Sequence, residues 1–479
     1  NNLWSREVPM GVSPMPTASY FNDPIQARGM DKEDIRNLRR AHRKAALRSK
    51  EAGFDLVYVY AGHGLGIFQH FLSRATNFRT DEYGGSLENR ARLLREVIED
   101  TKDAVGDTCG VPVRIAMSEF IGSAGLEPAE VEDAIAMMAE LPDLWDLSLS
   151  DWSKDSQTSR FSEEGFQEPY IKGVKKLTTK PVVGVGRYTS PDAMVRVIRQ
   201  GIMDMIGAAR PSIADPYLPN KIRDGRLDDI RECIGCNVCV THDFTMTPLR
   251  CTQNPSMGEE WRRGWHPETI RAKEEDKHIL VVGAGPAGLE AARALGQRGY
   301  QVTIADKASE AGGRVARESR LPGLSAWGRV RDWRLLQINK LPNVSLYLES
   351  EMTPDTVAEL GADLTAKRLA WAAAGLPVDF RKDDATFRAG INDLPKIAAG
   401  LQRAGVRRVG TWLMPCSNEL TYRANFKQHL ARLGEIARIL KDHGLRFGLE
   451  YVGTQSVLVG RKYPFVHTLA ETRELIAEI

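Results

Sequence analysis

The sequence predicts an α/β protein built from parallel sheets, and two observations lead to this prediction. Between residues 32 and 216, short β-branched runs alternate with amphipathic stretches, as strands alternate with crossover helices in a parallel sheet. Further along, a glycine-rich turn follows an apolar run and opens a helical stretch, which is typical of nucleotide-binding domains. A chain of 479 residues is too long for one ordinary core, so several domains are expected.

The first predicted domain, residues 1–225, is a truncated (β/α)8 TIM barrel. Five short apolar runs predict buried parallel strands at residues 55–62, 111–117, 144–150, 181–186 and 203–209. Amphipathic stretches between them, such as residues 87–105, predict the helices. Because a complete barrel needs eight strands, we expect its first three units to lie before Asn1.

Charge and hydropathy exclude several kinds of partner. The 65 basic and 63 acidic residues leave a net charge of +2, which gives no electrostatic reason to bind nucleic acid or an anionic membrane. No apolar run reaches the roughly 18 to 20 residues of a membrane span, and the first residues lack the pattern of a signal peptide. We therefore expect a cytoplasmic protein with no nucleic-acid partner and no membrane partner.

Four of the six cysteines lie in the second predicted domain, the metal-binding segment and linker at residues 226–270. The spacing is C-x2-C-x2-C-x11-C, formed by Cys233, Cys236, Cys239 and Cys251. Zinc sites usually use two separated C-x2-C pairs, whereas three thiolates at intervals of three with a distant fourth suit a 4Fe-4S cluster. Structural zinc and unliganded cysteines remain the alternatives.

The third predicted domain, residues 271–363, is a partial Rossmann-like domain that binds a nucleotide. Gly283, Gly285 and Gly288 form G-x-G-x-x-G after the apolar run "ILVV". The glycines allow a tight turn, close approach of a pyrophosphate, and close packing of helix on strand. Asp306 ends the next predicted strand, where a ribose hydroxyl would be bound. The loop predicts an adenine nucleotide without distinguishing FAD, ADP and NAD(P).

The fourth predicted domain, residues 364–479, differs in character. Strands are predicted at residues 376–381, 406–412 and 445–453, separated by helices. The segment resembles part of a xylose-isomerase-like sugar phosphate isomerase or epimerase barrel. That resemblance places Glu450 at a metal-ligand position, although a solvated strand-end glutamate is the better interpretation. We expect a junction near residues 359–376, produced by a joined reading frame or by a genuine fusion.

Several stretches before residue 363 resemble one enzyme family. The stretches "YAGHGLG", "KPVVGVGRYTSPDAM", "GAARPSIADP" and "DDIRECIGCNVC" are similar to the trimethylamine, dimethylamine and histamine dehydrogenases. This group belongs to the old yellow enzyme-like iron–sulfur flavoproteins. The resemblance runs from residue 1 to about 363.

The resemblance implies a function and a set of cofactors. It implies oxidation of a small amine by FMN at the mouth of the barrel, with a 4Fe-4S cluster beside the flavin and ADP or FAD in the Rossmann-like domain. Electrons would then pass singly to an electron-transferring flavoprotein. Relatives of this group also imply a homodimer.

The same resemblance assigns site residues. Tyr60, His63 and Asp155 would act on the amine, and Trp152 would form an aromatic wall against a cation. Arg114 would face the flavin ring. The FMN phosphate would be held at the loops after the last two strands by Gly186, Arg187, Gly207, Ala208 and Arg210.

Two departures from the family pattern refine the prediction. An ene reductase of the 2,4-dienoyl-CoA reductase type is the alternative function, but Leu65 stands where ene reductases place a tyrosine proton donor. Asp243 falls where trimethylamine dehydrogenase has a tryptophan, in a spacer that is one residue shorter. A carboxylate there suits a second cationic group, which favours a histamine-like substrate over a methylated amine. A chimeric chain with an inactive isomerase fragment, or a metal-dependent sugar isomerase, remains as a further alternative.

Overall fold

The computed structural model describes residues 8–17, 25–353, 356, 373–452 and 461–479. The chain divides into two compact units. The first comprises the described residues of Asn1–Asp243, Pro248–Glu259 and Pro322–Ala326. The second comprises those of Phe244–Thr247, Glu260–Leu321 and Trp327–Ile479.

A parallel sheet forms the centre of the first unit. Three short strands, β1 (Met10–Gly11), β2 (Met15–Thr17) and β3 (Ile25–Gly29), precede it and form a separate small sheet. The central strands are β4 (Val59–Ala61), β5 (Pro112–Ala116), β6 (Leu144–Ser148), β7 (Val182–Gly184) and β8 (Met205–Ile206). They follow chain order across the sheet, and every neighbouring pair is parallel. The five predicted barrel strands are therefore confirmed.

Helices precede, connect and follow the parallel strands, as expected of a (β/α) repeat. They are α1 (Lys32–Glu51), α2 (Ile67–Leu72), α3 (Leu87–Val105), α4 (Pro128–Ala136), α5 (Trp152–Asp155), α6 (Glu168–Ile171), α7 (Pro191–Arg199), α8 (Ala209–Ala214), α9 (Leu218–Arg223) and α10 (Val238–Phe244). Within the described ranges of both units, no helix combines the length and the apolar character needed to cross a bilayer.

Local sequence explains why these elements form and pack. Helix α3 begins after Ser86, whose hydroxyl accepts a hydrogen bond from the Asn89 N–H. Its apolar stripe, which includes the fully buried Val97, packs into the same core as Trp145 and Leu147 of β6. Burying such large side chains stabilises the sheet by about 1.5 to 3 kcal/mol each. The core therefore fixes the register of the strands, and the carboxyl ends of β4 to β8 meet at one edge.

The second unit begins with the predicted Rossmann-like part. Strands β9 (His278–Val282), β10 (Gln301–Ala305) and β11 (Val344–Tyr347) form a parallel sheet in the order β11-β10-β9. Helix α11 (Glu260–Arg263) lies before this part, in the predicted linker. The helices of the part itself are α12 (Pro286–Gln297), α13 (Arg314–Glu318) and α14 (Arg329–Asn339). Strand, glycine turn, helix and strand follow in the predicted sequence order.

The rest of the second unit also alternates strands and helices. Strands β12 (Ala374–Gly375), β13 (Arg408–Leu413) and β15 (Arg446–Tyr451) are parallel, while β14 (Cys416–Ser417) pairs antiparallel with β16 (Tyr463–Pro464). The helices are α15 (Asp384–Arg403), α16 (Tyr422–Asp442) and α17 (Leu469–Glu478). The strand predicted at 376–381 is wrong, because the ladder ends before Pro377, which has no N–H to donate. Glu450 is exposed in β15.

Candidate functional site

A cavity of about 340 Å³ lies in the first unit, among residues that follow the carboxyl ends of the parallel strands. This volume falls in the range of sites for small molecules and cofactors. Nine of the predicted site residues line it, namely His63, Arg114, Asp155, Gly186, Arg187, Gly207, Arg210, Cys239 and Asp243. Residues far apart in sequence are thus brought to one place by the parallel sheet.

The three predicted catalytic residues form a hydrogen-bonded chain. The Tyr60 hydroxyl contacts His63 Nδ1, and His63 Nε2 lies 3.1 Å from Asp155 Oδ2. The side chain of His63 is 6% exposed and that of Asp155 is 15% exposed. An imidazole is therefore held between a phenol and a carboxylate, largely out of contact with water.

The contacts of His63 assign the tautomer of its neutral ring. An ionised Asp155 can only accept, so Nε2 carries the proton and Nδ1 accepts from the Tyr60 hydroxyl. Burial raises the pKa of Tyr60, and the Arg114 cation opposes this shift only in part. Tyr60 is thus a protonated donor at neutral pH.

Two residues of the cavity adopt a left-handed backbone although they are not glycines. Both His63 and Arg187 have a φ of 57°. Such a conformation costs on the order of 1 kcal/mol and persists where the surroundings enforce it. The turn after His63 is held by Gln69, whose Oε1 accepts from the Gly64 N–H at 2.8 Å. Strain of this kind is concentrated at functional sites.

Arg114 is held at the cavity wall by a buried acid on the neighbouring strand. The register pairs Arg114 with Asp146, and the Arg114 Nε and Nη2 atoms lie 2.9 and 2.8 Å from Asp146 Oδ2. Burial raises the pKa of Asp146, and Arg114 only partly opposes this shift. The sequence did contain a signal for Asp146, namely an acid inside the apolar run 144–150.

The two arginines predicted to hold phosphate both reach the cavity. Arg187 Nη2 donates to Ser162 O at 2.7 Å, and Arg210 Nη1 donates to Gln157 O at 2.8 Å. Both hydrogen bonds that Arg210 donates to side chains and carbonyls of the described residues leave from Nη1, so Nε and Nη2 are donors suited to an anion. The cavity wall includes Ala209 rather than Ala208, so the role predicted for Ala208 stays a prediction.

The four clustered cysteines share one environment. Burial, together with charges on Cys233, Cys236 and Cys251, raises the pKa of the Cys239 thiol to about 11. Backbone N–H groups lie 3.4 Å from the sulfurs of Cys233 and Cys251. Hydrogen bonds to sulfur are a means by which proteins tune iron–sulfur clusters.

Metal binding by these cysteines stays a prediction. Among the residues that the structure describes, no three His, Cys, Asp or Glu side chains lie together as ligands of a single metal ion. Sulfurs around one zinc would be about 3.8 Å apart, since each Zn–S bond is about 2.3 Å long. A cubane cluster places its iron atoms between the thiolates and therefore needs a wider arrangement. The spacing and the shared environment of the four thiols still favour a cluster.

One turn of helix α10 presents two predicted residues to the cavity. Cys239 and Asp243 are four positions apart, so they lie on the same face of the helix, and both line the cavity. The predicted aromatic wall, Trp152, begins α5, but its side chain lies outside the described part of the structure.

The predicted nucleotide loop has the expected backbone geometry in the second unit. Gly283 has a φ of 99°, which favours glycine, and a Cβ on Gly288 would lie 1.8 Å from Gly283 O. Asp306 Oδ2 accepts from the Ala284 N–H at 2.6 Å, so this carboxylate also holds the loop itself. Nucleotide binding by these residues stays a prediction.

Two residues that the sequence interpretation missed connect parts of the site. Gln167 lines the cavity and donates from Nε2 to Asp155 Oδ1. Asn237, between two of the cysteines, donates to Ser156 O and accepts from Arg210 Nη1 at 2.6 Å. Neither amide belongs to a sequence motif that indicates its contacts, because its partners are distant in sequence.

Family models match both parts that the sequence predicted with most detail. Residues 5–229 match the NADH:flavin oxidoreductase / NADH oxidase family. Residues 281–347 match the NAD(P)-binding Rossmann-like domain. The fold is therefore an FMN-type TIM-barrel domain followed by a Rossmann-like domain. The isomerase-like assignment of residues 364–479 lies outside both matches and stays a prediction.

Individual proteins are similar over most of this chain. Dimethylamine dehydrogenase from Hyphomicrobium sp. (strain x) is 40% identical over 437 residues, which cover 88% of this chain and 59% of that protein. The structure of histamine dehydrogenase from Rhizobium sp. 4-9 is 44% identical with a TM-score of 0.73, covering 99% of this chain and 76% of the other. The structure of 6-hydroxypseudooxynicotine amine oxidase from Pseudomonas geniculata N1 is 44% identical with a TM-score of 0.73, covering 93% and 70%.

The extent of these matches defines the relationship. The chain spans 59% of dimethylamine dehydrogenase and 54% of the NADH oxidase from Thermoanaerobacter brockii, which is 34% identical and matches over 76% of this chain. Its coverage of the histamine dehydrogenase structure is larger, at 76%. The chain therefore belongs to the amine dehydrogenase group of the old yellow enzyme-like flavin oxidoreductases.

Proposed function

We propose that this chain carries the catalytic part of an FMN-dependent amine dehydrogenase whose preferred substrate is a small amine of the histamine type. One observation carries the proposal: His63, Asp155, Asp243 and Cys239 line a single cavity. Such a cavity can take a proton from the reacting amine at one place and bind a second cationic group at another. Similarity to a dimethylamine dehydrogenase and a histamine dehydrogenase supports this class of reaction.

The donor groups of the cavity fit FMN. Arg114 offers a half-buried cation for the electron-rich edge of the flavin ring, and Arg187 and Arg210 offer guanidinium groups for a phosphate. The four cysteines fit a 4Fe-4S cluster by residue type and spacing. When bound, FMN supplies a two-electron acceptor and the cluster a carrier of single electrons.

The three chained residues control the protonation of the amine. An ammonium has no free lone pair, so the amine has to lose its extra proton before it can be oxidised. The imidazole of His63 can take up this proton through Tyr60, because Asp155 stabilises the positive charge that forms on the ring. The low exposure of His63 excludes water from this exchange.

The remaining parts of the proposal concern partners and electron exit. Because Cys239 lines the cavity, a cluster held there would lie next to the flavin, and electrons would leave through it to an electron-transferring flavoprotein. ADP or FAD would bind the loop at Gly283, Gly285 and Gly288, and the chain would act as a homodimer.

Anaerobic flavin reduction tests the proposal. The purified chain, reconstituted with FMN, iron and sulfide, should lose its visible flavin absorbance when histamine is added, and less readily with trimethylamine. Bleaching by NADPH without any amine would favour an ene reductase instead. Leu65, at 56% exposure, offers no proton donor for that chemistry. Absence of bleaching with every amine would overturn the proposed activity.

A further inference from the structure

The amide of Gln167 holds the carboxylate that faces His63. Gln167 is 1% exposed in the cavity wall, and its Nε2 donates to Asp155 Oδ1. His63 uses the other oxygen, Oδ2. Since the group that meets a carboxylate has to be the donor, the orientation of the amide is assigned by this contact. Asp155 is therefore held from two sides.

The segment around Gln167 is itself firmly anchored. The Gly165 N–H donates to Gly186 O at 2.8 Å. The next residue, Glu168, accepts from the Tyr188 hydroxyl at 3.1 Å and from Arg196 Nη1 at 3.0 Å. Because both sides of Gln167 are fixed, its amide is a rigid support for Asp155.

We propose that Gln167 is a positioning residue that locks the Asp155 carboxylate in one orientation and thereby keeps the proton of neutral His63 on Nε2. Without the amide, the carboxylate could turn about its Cβ–Cγ bond and exchange its two oxygens. His63 Nδ1 would then be free of a proton, and able to accept from the Tyr60 hydroxyl, for a smaller fraction of the time. The catalytic meaning of this inference rests on the proposed amine oxidation, whereas the order of hydrogen bonds can be measured without an amine.

Other charged and titratable groups also face this pair, and any experiment has to account for them. The nearest belong to strands β4, β5 and β6, and the others lie in the cavity wall. They are Tyr60 and His63 near β4, Arg114 on β5, Asp146 on β6, and Arg187, Arg210 and Asp243 in the cavity wall. All of them are unchanged in the two Gln167 variants below.

Two substitutions separate positioning from packing. In Gln167→Glu, the introduced carboxyl group can donate to Asp155 while it is protonated, as the amide does, but two ionised carboxylates in contact repel each other. The variant should therefore behave like the wild type at low pH, where the two carboxyl groups share a proton. As pH rises and this proton is lost, the arrangement of Asp155 and His63 should be lost as well. Gln167→Leu removes the donor at every pH. The arrangement of Asp155 and His63 should therefore be lost at every pH in this variant, with no added pH dependence.

The first readout is the imidazole of His63 in the full 479-residue chain. Nitrogen NMR of ¹⁵N-histidine-labelled protein, with the signal assigned through His63→Gln, should give an Nε2-protonated ring in the wild type. Gln167→Glu should add a titration step to the His63 signal that the wild type and Gln167→Leu lack. An unchanged His63 signal in both folded variants would overturn the inference.

The second readout is the pH profile of kcat/KM for the reconstituted enzyme. Loss of a hydrogen bond to a charged group changes an equilibrium constant by about tenfold or more. We expect Gln167→Glu to lie close to the wild type at low pH and about tenfold or more below it at high pH. Gln167→Leu should be lowered by a similar factor at all pH values. Identical profiles for the three proteins would contradict the inference.

Asn343 provides a control in the second unit. Its Nδ2 donates to Gly296 O at 2.8 Å and to Tyr300 O at 2.6 Å, and it is not part of the cavity wall. Asn343→Asp makes the same change of an amide to an acid and should add no step to the His63 signal. If the NMR result holds while no amine is oxidised, the proposed function fails and the positioning role stands. If amines are oxidised without the His63 effect, the reverse is true.

Discussion

Asp243 is the residue that most directly ties the cavity to a class of substrate. Its carboxylate lies on the same helical face as Cys239, while the chain of Tyr60, His63 and Asp155 supplies the groups for proton transfer. A methylated ammonium is best bound by aromatic faces, whereas a carboxylate prefers a group that donates hydrogen bonds. Asp243 therefore favours substrates with a second polar end.

Replacing this carboxylate should change specificity more than turnover. In Asp243→Asn the shape is kept and the charge is lost, so kcat/KM for histamine should fall about tenfold. The value for trimethylamine should change little, and Asp243→Trp should shift preference towards methylated amines. Steady-state kinetics with both amines measures the effect. Asp228→Asn, at an exposed site outside the cavity wall, should leave both values unchanged.

Removing the charge next to His63 should impair the chemistry itself. Asp155→Asn keeps a hydrogen-bonding group but can no longer stabilise an imidazolium, so kcat should fall by about 100-fold or more. Tyr60→Phe should have a smaller effect, since it removes only the relay hydroxyl. Rapid-mixing measurements of flavin bleaching at saturating amine separate this loss from weaker binding. A change in KM alone would contradict the assignment.

At the scale of elements, the glycine-rich loop and helix α12 show how one motif combines folding and binding. Gly288 is packed against Gly283 O, whereas a Cβ on Gly285 would meet no atom within 4 Å. Gly285 also has an ordinary φ of −71°. Gly288 is thus needed for the fold, whereas Gly285 only keeps the backbone open to a pyrophosphate.

This difference gives two opposite expectations for the same substitution. Gly285→Ala should fold with a Tm close to the wild type and lose bound nucleotide, because the added methyl group occupies the space needed for close approach. Gly288→Ala should be strongly destabilised, because its Cβ would overlap a carbonyl oxygen. Thermal melts, with chromatography of the nucleotide released on denaturation, measure both. Retention of nucleotide by a folded Gly285→Ala would contradict binding at this loop.

Elements with a strong local pattern were predictable, and those decided by distant contacts were not. The β-branched runs predicted β4 to β8, because buried parallel strands are apolar along their whole length. The strand predicted at 376–381 is wrong because an apolar pattern does not take into account that Pro377 has no N–H to donate. Gln167 was missed because its partner Asp155, the last residue of α5, is 12 residues away along a segment whose path the sequence does not dictate.

At the scale of the whole molecule, a buried histidine makes stability depend on pH. His429 is 4% exposed in the second unit, where its Nδ1 lies 3.0 Å from Asn425 O. Burial, together with the Arg381 and Arg432 cations, lowers the pKa of His429 to about 4, against the effect of the Asn425 carbonyl. The neutral ring is therefore the form that the folded unit accepts.

The second unit should lose stability in mild acid. An unfolded histidine takes up a proton near pH 6.5, while the folded one resists until about pH 4, so stability is complete above 6.5 and falls between these values. At about 1.36 kcal/mol per pH unit, the loss is on the order of 3 kcal/mol. Urea unfolding between pH 4 and 7 measures it, and His429→Phe should flatten this dependence.

A second histidine supplies the control. It is His443, which directly follows α16, the helix that contains His429. His443 Nδ1 also lies close to a carbonyl four residues earlier, at 2.8 Å from Ile439 O, but this residue is only half-buried. His443→Gln should therefore keep the wild-type pH dependence. Equal pH dependence of wild type and His429→Phe would show that other groups determine the acid sensitivity.

The single turn of α10 shared by Cys239 and Asp243 also restricts how enzymes of this kind can be redesigned. An α-helix turns by about 100° per residue, so one residue inserted between the two would swing the carboxylate away from the cavity while the sulfur stayed in place. Grafting a longer spacer from a relative would therefore shift the residue that contacts the substrate. Substrate range in such proteins should change by point substitution at this position more readily than by exchange of whole loops.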